Sequence, residues 1–202
     1  MKLIGLAVVL ALGLALSATP LTTAQPRKAG VVTDLAGNVT LLRAGSRQPV
    51  GIKAREDIFV NDHIVTSDNS FLSLLLGGRA DVVMRGRSAL RLTEGPFEAF
   101  LDLDSGKVFV AITEKEVPPG GRLAVRTGNA VVRLTDAVFA SVEFFPRSKA
   151  SQETTVHVSR GTATVSAGSD GVQLSAMRSV TVTGKVLGPV WIFVAPDRSN
   201  EG

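Results

Sequence analysis

Residues 71–84 read FLSLLLGGRADVVM, and this stretch decides the fold. An extended-type run from Phe71 to Leu76 meets Gly77-Gly78, and a second run follows from Arg79 to Met84. Adjacent glycines take positive φ without the steric cost of a Cβ, which a tight primed turn requires. The stretch therefore predicts a β-hairpin. On its second strand Ala80, Val82 and Met84 share one face, while Arg79 and Asp81 share the other. That two-residue period marks a strand with one face buried.

The pattern continues outward. FEAFLDL (97–103), Asp104-Ser105-Gly106 and KVFVAI (107–112) predict a second hairpin. Phe97, Ala99, Leu101 and Leu103 point one way, and Glu98, Asp102 and Asp104 the other. Across the turn Val108, Val110 and Ile112 continue the apolar set. Further strands are expected at 38–43, 88–93, 130–135, 138–145, 154–158, 162–165, 178–183 and 190–194. Each is bounded by Gly, Asn, Asp or Pro, the residues that end strands. No window longer than about ten residues in residues 25–202 follows a helical period. The fold class is all-β: a solenoid-like or sandwich-like arrangement of short antiparallel strands and hairpins. Strict sequence repetition is absent, so a regular solenoid family has no direct support.

Glu116-Val117-Pro118-Pro119-Gly120-Gly121 is the best internal joint, because two prolines and two glycines cannot continue a central strand. It either separates two halves or is a loop within one domain spanning 25–196. Polar residues 197–202 read as a flexible tail. Trp191 and Phe193, just before it, are expected to pack late in the core.

At the other end, Lys2 is the only charge before an apolar run from Leu3 to Ala18, followed by Pro20 and by Thr22-Thr23-Ala24. This is the layout of a secretory signal peptide with a signal helix, spanning 1–24 and cleaved after Ala24. The run is short for a membrane span, which takes about 20 apolar residues. No later run approaches that length, so no stable transmembrane span is expected after cleavage. Export to the periplasm is expected, with release outside the cell as the alternative.

The chain of 202 residues contains no cysteine, which removes thiol chemistry, disulfides and cysteine-ligated zinc. The net charge is +4, but Lys and Arg are scattered among acids, so nothing points to nucleic acid. Tyrosine is absent and Trp191 is the one tryptophan, too few for an extended stacking platform.

No constellation announces a reaction. His63 lies in VNDHIVT beside the turn-forming Asn61-Asp62, and adjacent Asp62 and His63 would point apart. His157 alternates with Val156 and Val158 in TTVHVS and should face away from the apolar side. Neither has the converging ligands of a metal site, and both read as structural. No GxSxG elbow supports a serine hydrolase. Asp102-x-Asp104-x-Gly106 resembles the start of a calcium loop without its later ligands, and an aspartate-begun turn explains it. Gly77-Gly78-Arg79 lacks the continuation of a phosphate loop. The chain is therefore expected to have no enzymatic activity and no cofactor. One positional pattern stands out: Arg79, Arg85 and Arg87 share odd parity, and Arg91 follows. An unbroken strand would align them as a basic patch for an acidic polymer or partner. Gly86 is expected to bend the backbone there, which would leave them as solvated edge charges.

The order of segments resembles the FecR domain family of bacterial envelope proteins. It begins in AGVVTDLAGNVTLLRAG (29–45) and runs through VNDHIVTSDNSFLSLLLGGRADVVMRGRSALRL (60–92). Asp62, Thr66, Ser70, Gly77-Gly78 and Ser88 stand where the family has its turn, threonine strand, serine, glycine turn and second serine. LDLDSGKVFV, LAVRTGNAVVRLT and TTVHVSRGTATVS resemble the later segments. Gly128, Leu134 and Phe139 depart from the pattern: the family commonly has proline after the threonine, glycine before the next threonine, and an aromatic closer to it. The resemblance implies a β-rich module without catalysis. It further implies an exported interaction or sensing module whose partner is an envelope protein or cell-wall polymer. With the apolar run starting at Leu3, the cytoplasmic sigma-regulating segment of the best-known members is not expected. The alternative is a structural module that binds an acidic glycan or the cell wall.

Overall fold

A computed structural model describes residues 25–113, 122–135, 137–148 and 151–193. The leader at 1–24, the joint at 116–121 and the tail at 197–202 lie outside the described residues.

Every regular element described is a strand. The first half contains β1 (Lys28–Ala36), β2 (Val39–Leu42), β3 (Val50–Gly51), β4 (Asp57–Phe59), β5 (His63–Thr66), β6 (Phe71–Leu76), β7 (Ala80–Met84), β8 (Ala89–Glu94) and β9 (Glu98–Ile112). The second contains β10 (Arg122–Arg126), β11 (Val131–Leu134), β12 (Phe139–Pro146), β13 (Gln152–Arg160), β14 (Thr162–Ala167), β15 (Asp170–Ser175), β16 (Arg178–Thr183), β17 (Val186–Leu187) and β18 (Trp191–Ile192). Among the described residues no helix is long and apolar enough to cross a membrane.

The ladders form two layers. The first runs β1–β6–β7–β9–β12–β13–β16, with β4 beside β1 and the short β17 and β18 along β16. The second runs β3–β2–β5–β8–β9–β10–β11–β14–β15. The chain crosses between layers after nearly every pair of strands, so a sandwich is wound along a solenoid-like path. Within the described ladders every pairing is antiparallel except β9 with β10. Because β9 pairs with both β10 and β12, the same sheets continue across the joint.

Alternation explains the packing. Leu72, Leu74, Val82, Met84, Val108 and Val110 point in from the first layer. Leu41, Ile64, Leu90, Leu101, Leu103 and Val165 meet them from the second, all within one apolar cluster. The 71–84 hairpin is as expected: Gly77 and Gly78 have φ of 56° and 74°, and the Arg79 N–H closes the turn on the Leu76 carbonyl at 3.1 Å.

Two expectations are corrected. Residues 104–106 do not reverse the chain. β9 is a single strand of 15 residues whose first part pairs with β8 and whose second part pairs with β7. Gly106, at φ 90°, turns it from one layer into the other. This also shifts the buried parity from Leu101 and Leu103 to Val108 and Val110. Trp191 is not core: it is 64% exposed on β18, opposite Ser179 on the rim of the first layer. The Phe193 and His157 rings meet perpendicularly, their centres 5.5 Å apart. The strands also extend beyond expectation, since β1, β4, β10 and β15 carry too few alternating apolar residues to announce themselves.

Candidate functional site

The polar residues that carry the sequence pattern are buried, and each holds backbone where a strand leaves its ladder. Asp62, 1% exposed, closes the β4–β5 turn. Its Oδ2 accepts the Phe59 N–H at 2.9 Å and an Arg43 guanidinium N–H at 2.6 Å. Arg43 also donates to the Asp57 carbonyl at 2.8 Å and to Glu56 at 2.7 Å, and lies 5.1 Å from the Phe59 ring centre. Thr66 Oγ1 donates to the Arg85 carbonyl and accepts the Ser88 N–H at 3.0 Å. Ser70 Oγ accepts the Asn38 N–H at 2.9 Å and donates to the Asp68 carbonyl at 3.1 Å. Ser88 Oγ accepts the Lys107 N–H at 2.9 Å and donates to its carbonyl at 3.2 Å. A buried backbone group without a partner is costly, so these side chains make the layer changes tolerable.

The second half uses the same device. Asn129 Nδ2 donates to the Gln152 and Val182 carbonyls at 3.2 and 3.1 Å. Thr127 and Thr154 hydroxyls meet at 2.7 Å. Gly128 sits close beside them: a Cβ there would lie 2.8 Å from the Phe144 ring and 2.9 Å from the Gln152 side-chain amide, so both side chains would have to give way. Sequence reading passed over Asn129; its place between a threonine and an apolar strand was the available signal.

The arginines occupy different places. Arg79 is in the β6–β7 turn, with Nη1 buried and unpartnered. Arg85 follows β7 at its other end, its guanidinium 5.4 Å from the Phe109 ring centre. Arg87, at φ 57°, turns the chain toward β8 and pairs with Asp68 at 2.6 Å. Arg91 is on β8, in the other layer, opposite His63 and Asp102. The layer change at 85–88 thus separates Arg79 and Arg85 from Arg91.

Arg91 borders a cleft of about 460 Å³ where the turns after β10 and β12 approach β9. The neighbouring carboxylates are engaged: Asp102 with Arg126 and Thr93, and Asp104 with His63 at 3.1 Å. The Asp102 hydrogen bond raises the Arg126 pKa further, against the cost of burial, so that cation is fixed. His157 faces outward from the first layer, as its alternation predicts. Burial lowers its pKa, nearby Lys107 adds to the effect, and Glu143 opposes it. Asp62 and His63 point apart, and the two histidines lie in different layers. Among the described residues no group of three or more His, Cys, Asp or Glu could hold a metal ion.

Residues 62–173 match the family described as FecR protein. No curated protein matches the chain. Two crystal structures of a candidate anti-sigma factor from Parabacteroides distasonis are similar, each with a TM-score of 0.52 and 17% identity over 64% of this chain. This chain spans 57% of that protein's chain, and at such identity the likeness is one of fold. The family match begins at Asp62, the buried turn aspartate, and takes in Thr66, Ser70 and Ser88. The chain belongs to the FecR protein family.

Proposed function

We propose that this protein is an exported sensing module of a bacterial cell envelope, acting through contact with an envelope protein and without catalysis. One observation carries the reading: the family's polar signature residues are consumed in holding backbone corners. They build a scaffold and leave recognition to its faces, edges and loops. The fold shared with a candidate anti-sigma factor supports a signalling role. Deleting the gene should change transcription of a defined set of envelope genes, and a fusion of residues 1–40 to alkaline phosphatase should be active only outside the cytoplasm. An inactive fusion, or substrate turnover by the purified protein that is lost on changing one surface polar residue, would overturn the proposal.

A second reading has one observation behind it. Arg91 borders the cleft beside β9, and no ion pair engages it among the described residues. An acidic cell-wall glycan would suit that cation. Cosedimentation with cell-wall material should then weaken with salt and with Arg91→Glu, and indifference to both would remove this reading.

A further inference from the structure

The two outer faces of the sandwich differ in kind. On the second layer, outward side chains are tied by ion pairs: Arg126 with Asp102, Arg133 with Glu98, and His63 with Asp104. On the first layer, an outward row crosses the strands in register, with Val83, Phe109, Ser141, His157, Ser179 and Trp191 each opposite the next. The serines between the rings are 8% exposed and form the floor of the row. Leu75 and Ala111 border the row on one side. Its apolar members, the part-exposed Val83 and Phe109 and the exposed Trp191, leave apolar surface on the sheet face of the kind that marks an interaction site.

The charges around the row indicate what covers it. Asp81 and Arg85 flank Val83, two residues away on either side of it on the outward face of β7 and its extension. Neither is in an ion pair among the described residues, although Arg85 lies over Phe109. Lys107, over the same ring, is already neutralised by Glu143 at 3.2 Å. A twofold axis laid along the row exchanges the two sides of every strand. It therefore sets Asp81 of one copy against Arg85 of the other, twice, with Val83 on the axis between them and Phe109 next to it along the row. Self-complementarity of this kind is what an isologous interface needs. A glycan would use the rings but not the aliphatic Val83 and Leu75, and an unrelated protein would have to supply both missing charges.

We infer that the outer face of the first layer is a homodimer interface, with apolar contacts around Val83 and Phe109 and reciprocal Asp81–Arg85 ion pairs. The test is sedimentation equilibrium on the full exported protein, spanning about 1–100 µM at low salt. A dimer is expected. Arg85→Asp or Asp81→Arg alone should weaken it by about tenfold or more, and the double exchange should restore it. Val83→Glu should give a monomer, with circular dichroism confirming that the sheets persist. A wild-type monomer throughout that range would overturn the inference. So would a dimer indifferent to Val83→Glu, or charge reversals that the double exchange does not rescue. Amide protection of β7 and β9 appearing only with added cell-wall glycan or another purified envelope protein would assign the face to that occupant instead.

Discussion

Ser88 and Gly106 meet at the corner where β9 leaves the second layer for the first. A Cβ on Gly106 would come within 2.5 Å of the Ser88 Cα and 2.6 Å of the Arg87 carbonyl oxygen. Both obstacles belong to the backbone and cannot swing aside. Gly106 is also at φ 90°, where a side chain is strained. Gly106→Ala should therefore destabilise the protein by roughly 3 kcal/mol, combining backbone strain with overpacking. Gly77, at φ 56° with open space around its missing Cβ, is the control. Gly77→Ala should cost only about 1 kcal/mol. Urea denaturation of both variants checks the difference, and equal losses would show that the corner tolerates a side chain.

Thr66 tests whether the family signature acts through its hydroxyl. Thr66→Val keeps the shape but leaves the buried Ser88 N–H without its 3.0 Å acceptor. The expected loss is about 1–3 kcal/mol, the cost of an unsatisfied buried donor. Thr66→Ser retains the oxygen and should lose distinctly less. The pair is read by denaturant midpoint at constant slope, so that a changed unfolded state is not mistaken for a changed native one.

The hairpin and the corner show which parts of this fold were legible. Gly77-Gly78 lies between two runs of unchanged alternation, so reversal was readable. Gly106 also has positive φ, but the buried parity changes across it, from Leu103 to Val108. That change signals a strand passing into a second sheet, and it was read as a hairpin because glycine serves both purposes. The partners of Asp62, Thr66 and Ser88 are invisible in a local reading. Thr66 and Ser88 are 22 residues apart, and Ser88 reaches Lys107 across 19. The family pattern marked these residues without saying what they hold. The arginine parity does not mark one face: the break expected at Gly86 falls on the neighbouring Arg87, which takes φ 57°, so no face persists through 85–88. Trp191 was misplaced because residue type speaks for burial, whereas a two-residue strand on a rim has little to bury against.

Arg43 is the sole cationic partner of the buried Asp62 among the described residues. Arg43→Ala would leave that carboxylate with the Phe59 N–H alone, since its Oδ1 already lacks a partner. Arg43 is itself part-exposed, so the expected loss is moderated to about 2 kcal/mol. Arg43→Lys should recover only part of it, because an ammonium cannot span Glu56, the Asp57 carbonyl and Asp62 as a planar fork does. Thermal melts of the two variants decide this, and full rescue by lysine would reduce the role of Arg43 to charge.

His157 gives the fold an acid-sensitive element. Its pKa is lowered from the ordinary 6.5, first by burial, then by Lys107 on β9, with Glu143 on β12 opposing. The elements on its other side, β16 and β18, present Ser179 and Trp191 to the same row and no further charge. A depressed folded-state pKa means that the unfolded chain takes up a proton first as pH falls. The contribution of neutral His157 to stability is therefore complete above pH 6.5 and declines as pH drops below that value toward the folded pKa, after which the loss is constant. Protonation also changes the charge of the ring that Phe193 meets perpendicularly at 5.5 Å, so the environment of Phe193 should follow the same titration. His157→Gln should flatten stability against pH in this window while leaving the carboxylate-driven loss at lower pH. Urea midpoints measured between pH 4 and 8 on both proteins, with Phe193 followed by NMR, supply the readout. Parallel curves for the two proteins, or a Phe193 environment unchanged across the window, would show that this histidine does not couple proton uptake to the fold.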